Sequence, residues 1–216
     1  MSIDNVTKHW DATSGLATTS LQLHAGEFVA LQGRSGSGKS TLLAFLAGWC
    51  NPDSGTINRH GTWADQDRWR RWNATAIAPQ TLTLADELSV AENLEHVLRL
   101  AGIRQRQLGP RVTELLESFD LTEQARRLPA EISLGQQQRT AIARAAIVRP
   151  QLLLADEPTC HQDPEHAATV ITVLSHLTTS GTCVLTTSHD PTIADAATRT
   201  ISLDHPEPTK SCRLST

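Results

Sequence analysis

The sequence lacks any apolar run long enough to cross a bilayer. Segments such as LLAFLAGWC and LLLA fall far short of the roughly 20 residues that a membrane-spanning helix needs. The first residues, MSIDNVTKHWD, carry charges and no apolar core, so a secretory signal peptide is not expected there. The sequence therefore predicts a chain that does not cross a membrane, although it can dock onto a protein that does.

Paired cysteine motifs and a basic excess are also lacking. The cysteines show no CxxC spacing, so free thiols in a reducing compartment are expected; they are Cys50, Cys160, Cys183 and Cys212. Lys and Arg number 19 against 23 Asp and Glu, for a net charge of −4. A mildly acidic chain has no general electrostatic reason to bind nucleic acid. The stretch 67–72, DRWRRW, could stack on nucleic acid, but a short amphipathic helix is favoured.

What is present suits one α/β domain. The chain has 216 residues, 39% of them hydrophobic, which is enough for a sizeable core. Short alternating or apolar runs predict strands at 20–24, 27–32, 151–156 and 183–187.

Helical patterns are concentrated in the middle of the chain. Residues 39–47 predict one helix, and a Ser-x-x-Glu capping box at Ser89 opens the first helix of a longer helical segment. We therefore expect a single domain over 1–216. Its core is predicted at about 1–83 and 150–203, its helical insertion at about 84–149, and a poorly ordered tail at 204–216.

A glycine-rich loop follows the strand predicted at 27–32. Residues 33–40, GRSGSGKS, match the pattern G-x-x-x-x-G-K-[ST] in full, with a strand before and a helix after. Glycines allow positive φ, so backbone N–H groups can point at phosphate oxygens, and the helix N-terminus adds its positive end. Lys39 is expected to reach the β and γ phosphates, and Ser40 to place its hydroxyl on Mg²⁺.

An acid that completes the metal site is expected where the run 151–156 ends. Asp156 and Glu157 lie at the carboxyl end of this buried strand, where parallel sheets place their ligand sites. Asp156 is expected to hold Mg²⁺ through water, and Glu157 to orient and polarise an attacking water. The two motifs predict a P-loop NTPase, but kinases, GTPases and translocases share both.

The segment 132–139, ISLGQQQR, selects among these classes. It resembles the LSGGQxQR signature of the ATP-binding cassette (ABC) ATPases, at that family's usual distance ahead of QLLLADEP. Other motifs follow in the family's order: Gln80 in the Q-loop, a D-loop at 159–163, and His189 as the switch histidine. Trp10 fits the aromatic residue that stacks on adenine. The resemblance covers nearly the whole chain.

The resemblance implies an α/β fold: a RecA-like P-loop NTPase core, an N-terminal antiparallel β-subdomain, and an inserted α-helical subdomain that carries the signature. It implies a head-to-tail dimer with two ATP molecules, each between one phosphate loop and the other subunit's signature. Catalytic roles fall to Glu157, His189 and Gln80, and Mg²⁺ is held by Ser40, Gln80 and Asp156. The implied nucleotide contacts are Trp10, Gly33, Arg34, Ser35, Gly36, Ser37, Gly38, Lys39, Ser40, Thr41 and Asp156, and, from the other subunit, Ser133, Gly135, Gln136 and Asp163.

The signature also has the pattern of a helix start. Ser133-x-x-Gln136 is a capping box, and the helix is expected to run to Arg149, where Pro150 ends it. The free N–H groups of such a helix start can bind an anion. Leu134 stands where the family has its first signature glycine, and it either crowds the triphosphate or points away. We expect hydrolysis to be retained but slower.

The D-loop departs further from the family. Residues 160–163 are Cys-His-Gln-Asp, where the family pattern is close to Ser-Ala-Leu-Asp, so only Asp163 matches. This loop crosses the dimer interface in the family. The departure therefore puts the coupling between the two nucleotide sites in question.

Two classes of cassette protein remain open. One is the ATPase subunit of a transporter, and the other is a soluble cassette ATPase such as an iron–sulfur assembly ATPase. The segment TLTLADELSVAENLEHVLRLAGI, after the Q-loop, resembles small single-cassette subunits of the macrolide-exporter, lipoprotein-release and cell-division (MacB/LolD/FtsE) group. That implies ATP hydrolysis driving a separate FtsX/MacB-like permease from the cytoplasmic face of the membrane. Its docking groove is expected at about residues 80–87, and the cargo could be haem, drug, peptide or lipoprotein.

Overall fold

The computed structural model describes residues 1–11, 14–58, 74–80 and 83–203. The basic and aromatic stretch 67–72 and the predicted tail 204–216 lie outside these residues. Among the described helices, none combines the length and apolar character that crossing a membrane requires.

Strands lie toward both ends of the described chain, and helices predominate in its middle. The strands are β1 (Ser2–His9), β2 (Gly15–Gln22), β3 (Phe28–Gln32), β4 (Ser54–Asn58), β5 (Thr75–Ala78), β6 (Leu152–Asp156), β7 (Cys183–Thr187) and β8 (Arg199–Ser202). The helices are α1 (Lys39–Ala47), α2 (Val90–Leu100), α3 (Gln105–Ser118), α4 (Leu134–Ala146), α5 (Pro164–Thr179) and α6 (Pro191–Ala196). Short 3₁₀ turns lie at Thr122–Gln124 and Pro129–Glu131.

The larger sheet is parallel and has the strand order β5-β6-β7-β3-β8. Its inner strands β3, β6 and β7 are almost entirely buried. Burial on both faces explains why they appear in the sequence as continuous apolar runs rather than as alternating patterns. The carboxyl ends of these strands lead into the phosphate loop, Asp156-Glu157 and His189, so the topology brings the three predicted motifs to one edge.

The smaller sheet is antiparallel, with the order β2-β1-β4. The strand predicted at 20–24 in fact begins at Gly15, and β1 has no counterpart among the predicted strands. The reason is a register shift between Ile3 and Val6, where Asn5 adopts φ 51. Ile3 and Val6 are both fully buried although they are three residues apart. A bulge of this kind breaks the two-residue period by which a strand is recognised.

Helix α1 packs against both sheets. Its residues Leu42, Leu43, Phe45 and Leu46 are buried, in one cluster with residues of both sheets. The helix ends at Gly48, whose left-handed conformation lets its N–H and the next one close the last turn, as the sequence predicts. Burial on most sides fixes the position of the α1 N-terminus, and with it the phosphate loop.

Helices α2, α3 and α4 form the predicted helical insertion and pack on a shared apolar cluster. The capping boxes at Ser89 and Ser133 both form as predicted. Helix α4 ends at Ala146 and not at Arg149, so that predicted boundary is wrong. Arg149 precedes Pro150, which disfavours the right-handed helical conformation, and it takes φ 50 instead.

Candidate nucleotide-binding site

The phosphate loop joins the end of β3 to the first turn of α1. Gly36 and Gly38 have φ 81 and φ 95, a region that side chains rarely allow. A Cβ on Gly38 would lie 2.7 Å from the carbonyl oxygen of Gly15, so β2 packs directly against the loop. No side chain caps the N-terminus of α1. Its first N–H groups are therefore available to an anion, as at other phosphate-binding helix starts.

The Lys39 side chain folds back over the loop. Its Nζ donates to the carbonyl oxygens of Gly33 at 2.6 Å and Arg34 at 3.1 Å. An ammonium group has three donors, so two bonds to the loop leave one for another acceptor. Gly33, Arg34 and Ser37 thus shape the loop from within, since the Ser37 N–H also donates to the Arg34 carbonyl oxygen.

Asp156 lies at the end of β6, opposite the start of α1. Its Oδ2 accepts a hydrogen bond from Ser40 Oγ at 3.3 Å, and its Oδ1 accepts one from Thr187 Oγ1. Hydroxyl and carboxylate oxygens are hard ligands of the type that Mg²⁺ prefers. Ser40 and Asp156 thus fit Mg²⁺, which would neutralise phosphate charge when bound, and Gln80 lines the same cleft.

Glu157 follows directly and is held by its backbone. It adopts φ 50, and its N–H donates to the Thr187 carbonyl oxygen and hydroxyl, both at 3.1 Å. Its carboxylate accepts from the His189 N–H at 3.3 Å, and His189 Nε2 lies 3.7 Å from Oε1. The strained backbone and its two anchors fix where this carboxylate points.

Trp10 closes the other end of the cleft. Its Nε1 donates to Thr41 Oγ1 at 3.1 Å, and its side chain is 55% exposed. Lys8 Nζ lies 5.0 Å from the ring centroid, and it also forms an ion pair with Asp53 at 2.6 Å. The hydrogen bond from Lys8 and the His9 N–H hold the pKa of Asp53 below its ordinary value. An exposed indole fixed in this way can stack on a planar base.

A cleft of about 470 Å³ connects these groups, within the usual size range of ligand pockets. The predicted residues that line it are Trp10, Ser35, Gly36, Gly38, Lys39, Ser40, Thr41, Gln80, Asp156, Glu157 and His189. Ser14, Gly15 and Cys160 also line it, and they were not predicted. The cleft therefore gathers a phosphate loop, a metal-type acid, a candidate catalytic carboxylate and a stacking ring.

The residues predicted to act from another subunit lie elsewhere. Ser133, Gly135, Gln136 and Asp163 line a separate pocket of about 180 Å³, which we call the signature pocket. The Leu134 side chain is 47% exposed and does not belong to the lining of this pocket. The predicted site therefore has two halves, the cleft and the signature pocket. Within one chain they are not brought together.

Three contributors were missed by sequence reasoning. Thr187 is buried and binds both Asp156 and Glu157, and a threonine at a buried strand end is a weak sign of that role. Gln138 donates to the Glu157 carbonyl oxygen at 2.8 Å. Arg144 donates to the carbonyl oxygen and hydroxyl of Thr83 at 2.7 and 2.8 Å, joining α4 to the segment after the Q-loop. No sequence pattern signals the last two contacts.

Together the parallel sheet, the phosphate loop and the strand-end acids define a P-loop nucleoside triphosphatase. A family model described as "ABC transporter" matches residues 16–160. The cell division ATP-binding protein FtsE of Mycobacterium tuberculosis is 36% identical over 202 residues, which are 91% of this chain and 88% of that protein. The pyoverdine export ATP-binding/permease protein PvdT of Pseudomonas aeruginosa is 38% identical over 86% of this chain. The matched part is 29% of the length of PvdT.

Solved structures agree in fold. A dimeric post-hydrolysis state of the ATP-binding cassette MJ0796, bound to ADP and Pi, superposes with a TM-score of 0.82 and 30% identity, over 94% of both chains. The chain belongs to the ABC transporter family, as an ATP-binding cassette with ATPase activity. The predicted fold class is thereby confirmed, including its small antiparallel sheet and helical insertion.

Proposed function

We propose that this chain is the ATP-hydrolysing subunit of a MacB-type export or extraction transporter. It acts at the cytoplasmic face of the membrane, where it drives a separate FtsX/MacB-like permease. Similarity to a cell division ATP-binding protein, which is matched over most of its own length, and to an export ATP-binding/permease protein supports this assignment. The observation that carries it is an exposed acidic turn, held rigidly between the Q-loop and the helical insertion.

The chemistry takes place in the 470 Å³ cleft. Lys39 and the N–H groups of the phosphate loop hold the β and γ phosphates, while Trp10 stacks on the adenine. Glu157 accepts a hydrogen bond from water and aims its oxygen at the γ-phosphorus. The new bond forms as the bond to the β,γ-bridging oxygen breaks, which releases ADP and phosphate. His189, whose Nε2 lies 3.7 Å from Glu157 Oε1, contacts the γ-phosphate beside this carboxylate.

The site is completed by a second copy of the chain. The signature pocket presents the capped N-terminus of α4, and its orphan N–H groups are suited to a γ-phosphate held by the other copy. The separation of the two halves within one chain supports this arrangement, as does the dimeric cassette to which the chain is similar. ATP bound between the two copies thereby stabilises the dimer.

The acidic turn at 85–89 is the proposed contact with the permease. Buried Asn93 holds it, donating through Nδ2 to the carbonyl oxygens of Ala85, Leu88 and Ser89 at 2.9–3.1 Å and accepting from the Ala85 N–H at 2.9 Å. Asp86 and Glu87 are exposed at its tip. A buried amide with this many bonds fixes the turn, so two carboxylates are presented in a defined place to a basic segment of the permease.

The test is co-purification with the membrane protein encoded beside this gene. We expect a complex in detergent whose ATPase rate differs from that of the chain alone, and a partner with about four membrane spans. Asp86→Lys combined with Glu87→Lys should abolish co-purification, while the ATPase rate of the isolated chain stays within about twofold, since exposed charges contribute little to stability.

Glu117→Lys is the matched control, because it reverses an exposed acid elsewhere in the helical insertion. It should leave the complex intact. Recovery of the chain with iron–sulfur assembly proteins, and of no permease, would replace this proposal by the soluble ATPase. Retention of the complex by the double reversal would remove the acidic turn from the interface.

A further inference from the structure

We infer that Gln162 is a positioning residue that joins the D-loop to the signature turn of the same chain, so that both are presented to the other subunit as one unit. Gln162 lies at the D-loop position where the family pattern has leucine. The inference rests on the dimer in the proposed function, and it concerns a residue to which that function gives no role.

The Gln162 side chain uses both ends of its amide. Its Nε2 donates to the carbonyl oxygen of Gly135 at 2.9 Å and to Gln138 Oε1 at 3.3 Å. Its Oε1 accepts from Arg139 Nη1 at 2.9 Å. Each of these partners lies on α4, within the first turns that follow the signature serine. A leucine at this position could make none of these bonds.

The partners of Gln162 are themselves fixed. Arg139 is 4% exposed, and its Nε donates to the carbonyl oxygen of Phe119 at 2.9 Å. Burial lowers the pKa of Arg139, while Asp120 and Asp163 act in the opposite direction. A buried guanidinium needs its acceptors, because an unmatched donor in such a place costs free energy. Breaking the hydrogen bond between Arg139 and Gln162 would therefore leave a buried donor unpaired, and this cost holds Gln162 in place.

The same network extends to the backbone of Glu157, the candidate catalytic residue. Gln138 is 5% exposed, and its Nε2 donates to the Glu157 carbonyl oxygen at 2.8 Å and to Cys160 Sγ at 3.0 Å. Cys160, like His161 and Gln162, departs from the family's D-loop pattern. Gln162 thus lies one hydrogen bond from Gln138, which in turn contacts the backbone of Glu157.

Close packing reinforces these bonds. A Cβ on Gly135 would lie 2.8 Å from the carbonyl oxygen of His161 and 3.3 Å from Gln162 Oε1. The signature glycine therefore lets the D-loop approach α4, besides its predicted role toward phosphate. His161 has φ 61, so the D-loop backbone bends sharply at this contact. The hydrogen bonds of the Gln162 side chain and the close packing at Gly135 together restrict movement of the D-loop relative to the start of α4.

The consequence is a direct route between the two nucleotide sites of the dimer. The signature turn contacts the nucleotide of one site, and Glu157 acts in the other. A shift of the signature turn is carried through Gln162 and Gln138 to the backbone of Glu157. In this chain a polar network thus takes over the position that a leucine holds in the family pattern.

The test compares Gln162→Leu and Gln162→Glu with the original chain, using isolated protein and ATP with Mg²⁺. We expect Gln162→Leu to lower kcat about tenfold. Losing about one net hydrogen bond from the network that aligns the reacting groups changes a rate by about this factor. ATP affinity measured on the monomer should stay within about twofold. Gln162→Glu keeps the acceptor for Arg139 but replaces the donor by a carboxylate oxygen that faces the carbonyl oxygen of Gly135 and Gln138 Oε1, so its kcat should also fall below that of the original chain.

Gln107→Leu makes the same change at an exposed glutamine of α3, and it should leave kcat unchanged. A kcat for Gln162→Leu within twofold of the original overturns the inference, as does an equal loss in kcat and monomer ATP affinity, which would indicate a merely structural role. If Gln162→Leu does not fold, the loss of kcat in Gln162→Glu, with ATP affinity of the monomer kept, still decides. If the original chain stays monomeric in the presence of ATP, the proposed dimer is refuted. If no permease is found, this inference still stands.

Discussion

The phosphate loop and the signature turn are both helix N-termini, yet they are built in opposite ways. The start of α1 has no side-chain cap, and it is shaped by glycines and by Lys39, which folds onto the loop's own carbonyl oxygens. The start of α4 has a complete capping box between Ser133 and Gln136, and Gln162 ties it to the D-loop. The start of α1 thus leaves its N–H groups to a ligand, whereas the start of α4 is already bonded to its own side chains and to the D-loop.

The difference indicates a division of labour. A loop that wraps a triphosphate must exchange some of its internal hydrogen bonds, such as those that Lys39 donates, for bonds to phosphate. A surface that meets a nucleotide on another molecule gains from being rigid, because less ordering is needed on association. We therefore expect the first half to supply affinity for ATP and the second to supply alignment in the proposed dimer.

The largest effect on ATP affinity is expected on the phosphate-loop side. Lys39→Ala removes the ammonium from the loop, and ATP affinity should fall about 10- to 100-fold, since hydrogen bonds to charged groups contribute about 1.5–3 kcal/mol. Isothermal titration of the chain with ATP and Mg²⁺ measures it. Unchanged affinity would show that this half does not supply the binding energy.

A smaller and different effect is expected on the signature side. Ser133→Ala removes the cap of α4, a change that costs about 1 kcal/mol of helix stability, together with the hydroxyl offered to the other subunit. Hydrolysis should fall about tenfold, with ATP affinity of the monomer unchanged. Steady-state phosphate release and monomer titration separate the two. Loss of monomer affinity would erase the distinction between the halves.

Leu134→Gly probes the departure from the family signature. Because the leucine is 47% exposed and outside the signature-pocket lining, glycine there should raise the hydrolysis rate or leave it unchanged. Removing the side chain also gives the first turn of α4 more freedom, which limits the gain. A severe loss of rate, in the same phosphate-release assay, would show that the leucine itself is needed.

The smallest effect concerns the reactivity of two cysteine thiols, of which Cys160 lines the nucleotide cleft. Burial raises the pKa of Cys160 above its ordinary value, and it raises the pKa of Cys183 to about 12. A raised pKa means less thiolate at a given pH, so alkylation of Cys160 should be slow at pH 7.5 and still increase at pH 9. Peptide mapping after iodoacetamide treatment checks it. Rapid labelling of Cys183 in the folded chain would contradict its complete burial.

Sequence reasoning succeeded where the determining contacts are local. The phosphate loop, the capping boxes at Ser89 and Ser133, and the buried strands follow from neighbouring residues. It failed at β1, where a bulge at Asn5 disrupts the alternation, and at the end of α4, where Arg149 turns ahead of Pro150. The contacts of Thr187, Gln138 and Gln162 join segments far apart in the chain, so no short pattern predicts them.

The central claim is that two copies complete each other's nucleotide sites. Glu157→Gln removes the candidate catalytic carboxylate while keeping its shape, so hydrolysis should fall on the order of 10²- to 10⁴-fold while ATP binding remains. Light scattering of this variant should report a monomer without nucleotide and a stable dimer with ATP. A Glu157→Gln chain that binds ATP and stays monomeric would contradict the account.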